Sequence, residues 1–124
     1  MMQGIWVLIG GAVGSLARYS LSFIHGIGLF PYGTLFANLI GCFLLSFLIN
    51  LPLIKVSLPQ SLRVGVGTGV IGGFTTFSTF SLELAQLLNQ SKFSLGFLYL
   101  FVSIIGGLFL SWLGLLLANR QEAK

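Results

Sequence analysis

Apolar residues dominate this chain in four long runs, and most charged residues lie between the runs or at their ends. A helix needs about 20 mostly apolar residues to cross the hydrocarbon core of a bilayer. Helices also satisfy their own backbone hydrogen bonds in lipid, which an open sheet cannot do. The pattern therefore predicts an all-α membrane protein, with one domain over residues 1–124 and four transmembrane helices. The predicted spans are about 4–24, 33–54, 62–88 and 95–118.

Three of the predicted helices carry a polar stripe, because polar residues recur at every third or fourth position and so share one helix face. A single stripe of this kind is typical of hydrogen bonding between membrane helices. Three stripes in one small protein favour a permeation path. The stripes are Asn38, Cys42, Ser46 and Asn50 in the second span, Thr76, Thr79 and Glu83 in the third, and Tyr99, Ser103, Gly107 and Ser111 in the fourth.

Glycines spaced four apart form a second pattern, with Gly10 and Gly14 in the first span and Gly69 and Gly73 in the third. Small residues at this spacing allow the backbones of two membrane helices to approach closely. We expect these positions to pack helix against helix. Arg18 continues the glycine face of the first span, and a charge inside a membrane span is usually functional.

The stretch GGFTTFSTFS, residues 72–81, interrupts the third apolar run. Each glycine costs about 1 kcal/mol in a helix interior, and nearby hydroxyls can satisfy the backbone groups that a break would free. We therefore predict that the third helix is broken at Gly72–Thr75. A broken membrane helix exposes carbonyl oxygens, which can coordinate a small cation.

Composition and charge narrow the function classes. Hydrophobic residues make up 56% of the chain and charged residues 6%, with a net charge of +4. The basic residues lie scattered at the ends of the spans, which argues against a nucleic-acid partner. Four spans place both termini on the same side of the membrane. That side has four basic residues in its loops and ends, and the opposite side has one, so the positive-inside rule predicts cytoplasmic termini. These four are Lys55, Arg63, Arg120 and Lys124, and the one is Lys92.

No catalytic constellation is visible in the sequence, which has one histidine and no paired carboxylates, so we predict that the protein is not an enzyme. Donor groups are abundant in the stripes, and the positive edges of Phe77 and Phe80 could also face an anion. Two other classes remain open at this point. One is a non-transporting small membrane subunit, and the other is a small-molecule exporter that relies on Glu83.

The segment GGFTTFSTFSLE, residues 72–83, resembles the signature of the Fluc-type fluoride channels, the CrcB family. The stretches GGAVGSLARY (10–19) and GTLFANLIGCFLL (33–45) agree with it, and the resemblance covers nearly the whole chain. It implies a channel in the plasma (inner) membrane that lets cytoplasmic fluoride leave the cell passively and so reduces its toxicity. It also implies an antiparallel dimer, formed with a second copy or with a homologous subunit.

The resemblance further implies a role for particular residues. A structural sodium ion, Na⁺, would lie at the dimer centre, on the backbone carbonyls of Gly72 and Thr75. Glu83 and Arg18 also match the family pattern, although the pattern leaves their roles open. The unequal loop charges prompt the hypothesis that this chain inserts one way and pairs with an oppositely oriented homologue. The implied pore residues are Asn38, Phe77, Phe80, Thr79, Tyr99 and Ser103.

Overall fold

The computed structural model describes residues 2–23, 30–51 and 57–121, and these ranges are helical apart from short connections. They contain no strand, so the predicted all-helical fold is confirmed for this part of the chain. The last residues of the predicted second span, 52–54, lie outside the described ranges. The elements are α1 (Met2–Ser22), α2 (Tyr32–Asn50), α3 (Gln60–Val64), the π-helical turn π1 (Gly65–Ile71), α4 (Gly72–Phe74), α5 (Phe77–Asn89) and α6 (Phe93–Asn119).

Three of these helices, α1, α2 and α6, are long and apolar enough to cross a membrane. The longest is α6 with 27 residues. At a rise of 1.5 Å per residue it measures about 40 Å, which exceeds the thickness of a typical hydrocarbon core. The third predicted span differs from the others because it is divided into shorter helical pieces, of which α5 with 13 residues is the longest.

The helical conformation of the third span is interrupted at Thr75 and Thr76, between α4 and α5. Thr75 has φ −83° and ψ 156°, and Thr76 has φ −151° and ψ 128°, which are extended values. The predicted interruption at Gly72–Thr75 therefore needs a correction, since Gly72 and Gly73 are helical and belong to α4.

The threonine hydroxyls explain why the helix ends one turn later than its glycines. The backbone N–H and the hydroxyl of Thr75 both donate to the carbonyl of Ile71, each at 3.0 Å. Thr76 is the N-cap of α5, and its hydroxyl accepts the backbone N–H of Thr79 at 3.2 Å. Capping hydroxyls of this kind satisfy backbone groups at helix ends, whereas Gly65, Gly69 and Gly73 pack against α1.

The glycine faces of α1 and the third span pack against each other, as their spacing predicts. A Cβ atom on Gly10 would lie 3.1 Å from the Cα atom of Gly69, and one on Gly14 would lie 2.8 Å from the backbone nitrogen of Phe74. A Cβ atom on Gly73 would lie 2.5 Å from the carbonyl oxygen of Gly11. Because these neighbours are backbone atoms, they cannot move aside as a flexible side chain would.

Two polar stripes also contact each other where α2 packs against α6, through Cys42 on α2 and through Gly107 and Ser111 on α6. Ser111 donates to the carbonyl of Cys42 at 3.2 Å. A Cβ atom on Gly107 would lie 3.4 Å from the sulfur of Cys42. This half of the stripes therefore contributes interhelical contacts. A small apolar core of Leu35, Phe80, Leu87 and Tyr99 closes the other end of the interface.

Candidate functional site

An open groove of about 490 Å³ lies beside the point where the third span leaves the helical conformation. Residues of α2, of the third span and of α6 line it, so side chains from three spans meet there. Four of the six predicted pore residues line it, and so does Gly72. These four are Asn38, Phe77, Phe80 and Ser103.

The two phenylalanines differ in exposure although both reach the groove. Phe77 is 80% exposed, whereas Phe80 is 9% exposed and belongs to the apolar core. Their ring centroids are 6.0 Å apart with an interplanar angle of 37°. Phe80 also packs on Tyr99 at 5.0 Å, in a tilted arrangement. Phe80 is therefore held in place by its neighbours, while Phe77 extends from the surface of the subunit.

Asn38 does not present a free amide to the groove. Its Oδ1 atom accepts the backbone N–H of Thr76 at 2.8 Å, and its Nδ2 atom donates to the carbonyl of the same residue at 2.9 Å. One N–H of the amide remains for another acceptor. Thr76, which the sequence predicts as a stripe residue without a site role, is thus part of the site.

Ser103 lines the groove and carries a buried hydroxyl. Its Oγ atom is buried and has no hydrogen-bond partner among the described residues. Buried hydroxyl groups nearly always have a partner, so an unpaired one calls for an explanation. A ligand or a water molecule in the groove would provide that partner.

Thr79 lies on the other side of α5 and lines a separate pocket of about 170 Å³ with Arg18. Arg18 Nη1 donates to Thr79 Oγ1 at 3.4 Å, which is a long hydrogen bond. Thr76 Oγ1 donates to the same Thr79 oxygen at 3.2 Å and so links this pocket to the groove. The Nε atom of Arg18 is buried and lacks a partner within the described ranges.

Glu83 accepts two hydroxyl groups, one on each carboxylate oxygen. Tyr99 donates to Oε2 at 2.8 Å, and Thr34 donates to Oε1 at 2.8 Å. Tyr99 is fully buried, and its hydroxyl is directed to this bond instead of the groove. Thr34 has no assigned role in the sequence analysis, although it lies four residues before Asn38 and so extends the polar stripe of α2 by one turn.

The backbone beside the groove has lost the hydrogen bonds that a continuous helix would give it. In an α-helix the N–H of residue i bonds to the carbonyl of residue i−4. The N–H of Thr76 donates to Asn38 and so does not serve the carbonyl of Gly72. The N–H of Thr79 donates to the Thr76 hydroxyl and so does not serve the carbonyl of Thr75.

These two carbonyls are the oxygens that the resemblance assigns to sodium. Sodium is a hard cation, and carbonyl oxygens freed from helical bonding are suitable ligands for it. The described residues contain no group of three or more His, Cys, Asp or Glu side chains that could hold a metal. The two carbonyls at the interruption are of the chemical type that a sodium ion would take as ligands.

Comparison with known proteins places the chain in a family. The sequence profile described as "CrcB-like protein, Camphor Resistance (CrcB)" matches residues 5–115. "Fluoride-specific ion channel FluC 1" of Bacillus cereus (strain ATCC 10987 / NRS 248) is 46% identical over 124 residues, which cover 96% of this chain and 90% of the relative.

Relatives from two other genera agree over a similar extent. "Fluoride-specific ion channel FluC 2" of Listeria innocua is 43% identical over 119 residues, which cover 96% of this chain and 92% of the relative. "Fluoride-specific ion channel FluC 1" of Staphylococcus aureus (strain bovine RF122 / ET3-1) is 40% identical over 118 residues, covering 95% and 98% of the two chains. The chain studied here therefore belongs to the CrcB family.

Proposed function

We propose that this multi-pass membrane protein is a fluoride-selective ion channel. Cytoplasmic fluoride leaves the cell through it down its gradient, which reduces the toxicity of fluoride to the cell. The observation that carries the proposal is the groove beside Thr75 and Thr76, where an unpaired buried hydroxyl and two phenylalanine rings meet. The relatives bear the name of fluoride-specific ion channels over alignments that cover almost the whole chain. Sequence likeness and site chemistry thus support the same function.

The chemistry of the groove suits a small anion that holds its water tightly. A pore must replace that water with hydrogen-bond donors, and must bind weakly enough to release the ion. The Ser103 hydroxyl and the remaining N–H of Asn38 are donors of this kind. The ring edges of Phe77 and Phe80 carry partial positive charge and add further favourable contacts. Several weak contacts in sequence allow fluoride to advance without being trapped.

The alternatives are less well supported. An exporter that relies on Glu83 would need a carboxylate free to exchange protons or bind substrate, but both oxygens of Glu83 accept hydroxyl groups. A non-transporting subunit would have no use for a groove with an unpaired donor. The prediction that the protein is a channel and not an enzyme agrees with the family to which it belongs.

For the centre of the channel we propose a structural sodium ion on the carbonyls of Gly72 and Thr75. A bound Na⁺ would add a fixed positive charge next to the fluoride path. Gly72 is exposed in the single subunit, and a Cβ atom added to it would meet no described atom within 4 Å. This uncovered face supports an antiparallel dimer in which a second subunit supplies the remaining oxygens.

The proposed location is the plasma membrane, with cytoplasmic termini. Of the four basic residues behind this orientation, Arg63 and Arg120 belong to the described residues, while Lys55 and Lys124 lie outside them. The unequal charges also support a one-way insertion of this chain and pairing with a homologue. Expression of this chain alone tests that pairing, because strong fluoride efflux from the lone chain contradicts the need for a partner.

A flux measurement on the purified protein tests the function itself. Proteoliposomes loaded with potassium fluoride or potassium chloride receive a potassium ionophore, and ion-selective electrodes follow the release of each anion. We expect fast, passive release of fluoride and very little release of chloride. Protein-free liposomes provide the background. Proton-coupled transport of organic compounds, or no anion release with either a lone or a paired subunit, would contradict the proposal.

Replacing sodium with a large organic cation during purification and assay tests the sodium site. We expect fluoride efflux to fall and to recover when Na⁺ is added back, because backbone carbonyls coordinate a small cation and cannot coordinate a bulky organic one in the same way. Efflux that does not depend on the cation would remove sodium from the proposal and leave the channel function in place.

A further inference from the structure

The pairing of Asn38 with Thr76 joins two helices by a side chain and a backbone. Both polar atoms of the Asn38 amide bond to one residue, at 2.8 Å and 2.9 Å. A backbone N–H can only donate and a carbonyl can only accept, so the orientation of the amide is fixed by Thr76. The two residues are 38 positions apart in the chain, which makes this a tertiary contact.

We propose that Asn38 is a positioning residue that keeps Thr76 in its extended conformation and so maintains the interruption of the third span. The proposal relies on the proposed channel function for its biological role, while its structural content can be tested separately. Asn38 acts here through the backbone of Thr76, in addition to any contact that its remaining N–H makes with the ion.

The physical basis is a competition for one backbone N–H. In a continuous helix the N–H of Thr76 would bond to the carbonyl of Gly72. The oxygen of Asn38 takes this N–H, and the nitrogen of Asn38 satisfies the Thr76 carbonyl in return. Without the amide, two backbone groups in an apolar surrounding would lose their partners, and unsatisfied backbone groups are costly in a membrane. The least costly remedy is the return of Thr76 to helical bonding with Gly72.

The pairing also affects the ion path. Because the amide is held at both ends, it cannot rotate to exchange its oxygen and nitrogen. Its remaining N–H is therefore a fixed donor, and such preorganised donors interact with an anion without the cost of reorientation. The same contact leaves the carbonyl of Gly72 without its helical donor.

Loss of Asn38 is expected to act locally, so its variants can be studied as folded proteins. The cap at the start of α5, where the hydroxyl of Thr76 accepts the N–H of Thr79, belongs to the same local region and changes together with Thr76. The packing of α1 on the third span involves a different face, at Gly69 and Gly73. Asn38→Leu is the most direct variant, because leucine has a similar shape and no hydrogen-bonding group.

Threonine-selective isotope labelling allows a sharp test, since the chain has five threonines, Thr34, Thr68, Thr75, Thr76 and Thr79. In NMR spectra of the protein in lipid nanodiscs, the Cα and Cβ shifts of threonine distinguish extended from helical backbone, and Thr76→Ser identifies the Thr76 signal. We expect extended shifts at Thr76 in the native protein and movement toward helical values in Asn38→Leu. Ser103→Ala, in the same groove but without a bond to Thr76, is the matched control and is expected to retain extended shifts.

Unchanged Thr76 shifts in a folded Asn38→Leu protein would overturn the proposal. If Asn38→Leu does not fold, Asn38→Asp replaces it, because its carboxylate can still accept the Thr76 N–H but, when ionised, cannot donate to the carbonyl. We then expect an altered Thr76 carbonyl shift with an extended backbone, and a spectrum identical to that of the native protein would refute the positioning role. Fluoride flux is measured in parallel. Absence of flux in the native protein contradicts the channel function and leaves the NMR result valid.

Discussion

Gly72 and Gly73 are neighbours in α4, but they lie on faces of the third span with opposite surroundings. Gly73 faces α1, where a Cβ atom would lie 2.5 Å from the carbonyl oxygen of Gly11. Gly72 lies at the groove, where a Cβ atom would meet nothing within 4 Å among the described residues. One face of the span is therefore closely packed and the other is open.

The difference shows how a short helical segment can serve stability and function together. The packed face uses the absence of side chains, since the glycines of α1 and of the third span let the two backbones approach each other closely. The groove face uses freed backbone groups and a few donors, and leaves room for an ion or a second subunit. The stripe of α2 takes part in both, since Asn38 and Cys42 line the groove while the Cys42 carbonyl also accepts the Ser111 hydroxyl of α6.

The largest effect is expected from a change that breaks the packed face. Gly14→Val places a branched side chain against the backbone of Val70 and Phe74, where even a Cβ atom comes within 2.8 Å of a backbone nitrogen. We expect a loss of about 3 kcal/mol or more, by overpacking. The measurement is the yield of monodisperse protein and its thermal unfolding. Gly4→Val in the same helix is the control, because Gly4 has no described atom near its Cβ position. Equal stability of the two variants would contradict a packed face.

A change in the groove is expected to affect fluoride and leave stability intact. Ser103→Ala removes a hydroxyl that bonds to no described residue, so the free energy of unfolding should change by about 0.5 kcal/mol or less. A hydrogen bond to a charged group is worth about 1.5 kcal/mol or more, so fluoride affinity should fall about tenfold. The concentration dependence of fluoride flux measures this change. Unaltered flux at every concentration would exclude Ser103 from the ion path.

The Glu83 cluster combines features of both regions, because it joins the fully buried Tyr99 to a partly buried carboxylate through a hydrogen bond. Glu83→Ala leaves the buried Tyr99 hydroxyl without its acceptor, and we expect a loss of about 1–3 kcal/mol of stability. Tyr99→Phe in the Glu83→Ala background removes the orphaned hydroxyl and should restore part of that loss. Thermal unfolding of the single and double variants measures the coupling. Strictly additive effects would show that the hydrogen bond does not contribute to stability.

The smallest effect is expected in the packed half of the polar stripes. Ser111→Ala removes one bond to the carbonyl of Cys42, and hydrogen bonds between membrane helices average about 0.6 kcal/mol. Fluoride flux should remain at the native level, in contrast to Ser103→Ala two helical turns earlier on the same stripe. A marked fall in flux for Ser111→Ala would extend the ion path into the packed half of the stripe.

Much of the fold could be predicted from the sequence, whereas only part of the candidate site could be. The helical membrane class and the close approach of α1 to the third span were both predictable, because apolar run length and glycine spacing are local properties. The interruption was predicted over Gly72–Thr75, and the extended residues, Thr75 and Thr76, overlap that range only at Thr75. The low helix propensity of glycine would allow the helix to break at several positions in this segment. The hydroxyls of Thr75 and Thr76 determine which of these positions is used.

The site residues separate in a way that spacing cannot predict. Ser103 lies in the groove with Asn38, whereas Thr79 lines a pocket with Arg18 and the Tyr99 hydroxyl bonds to Glu83. The prediction that Thr79 and Tyr99 line the fluoride path stays a prediction. Thr34 is a partner of Glu83 from 49 positions away. Its place four residues before Asn38 indicates a polar helix face, but the spacing does not identify the partner.

The sequence by itself determined that this chain crosses a membrane as helices, that two of its helices meet through glycines, and that its third span is interrupted near residues 72–81. These properties depend on composition and on the period of 3.6 residues per turn. The tertiary structure alone decided that Asn38 binds Thr76 and that one hydroxyl in the groove remains unpaired. The rotation of each helix about its axis is set by packing against its neighbours, and that rotation determines which polar groups meet and which are left for an ion.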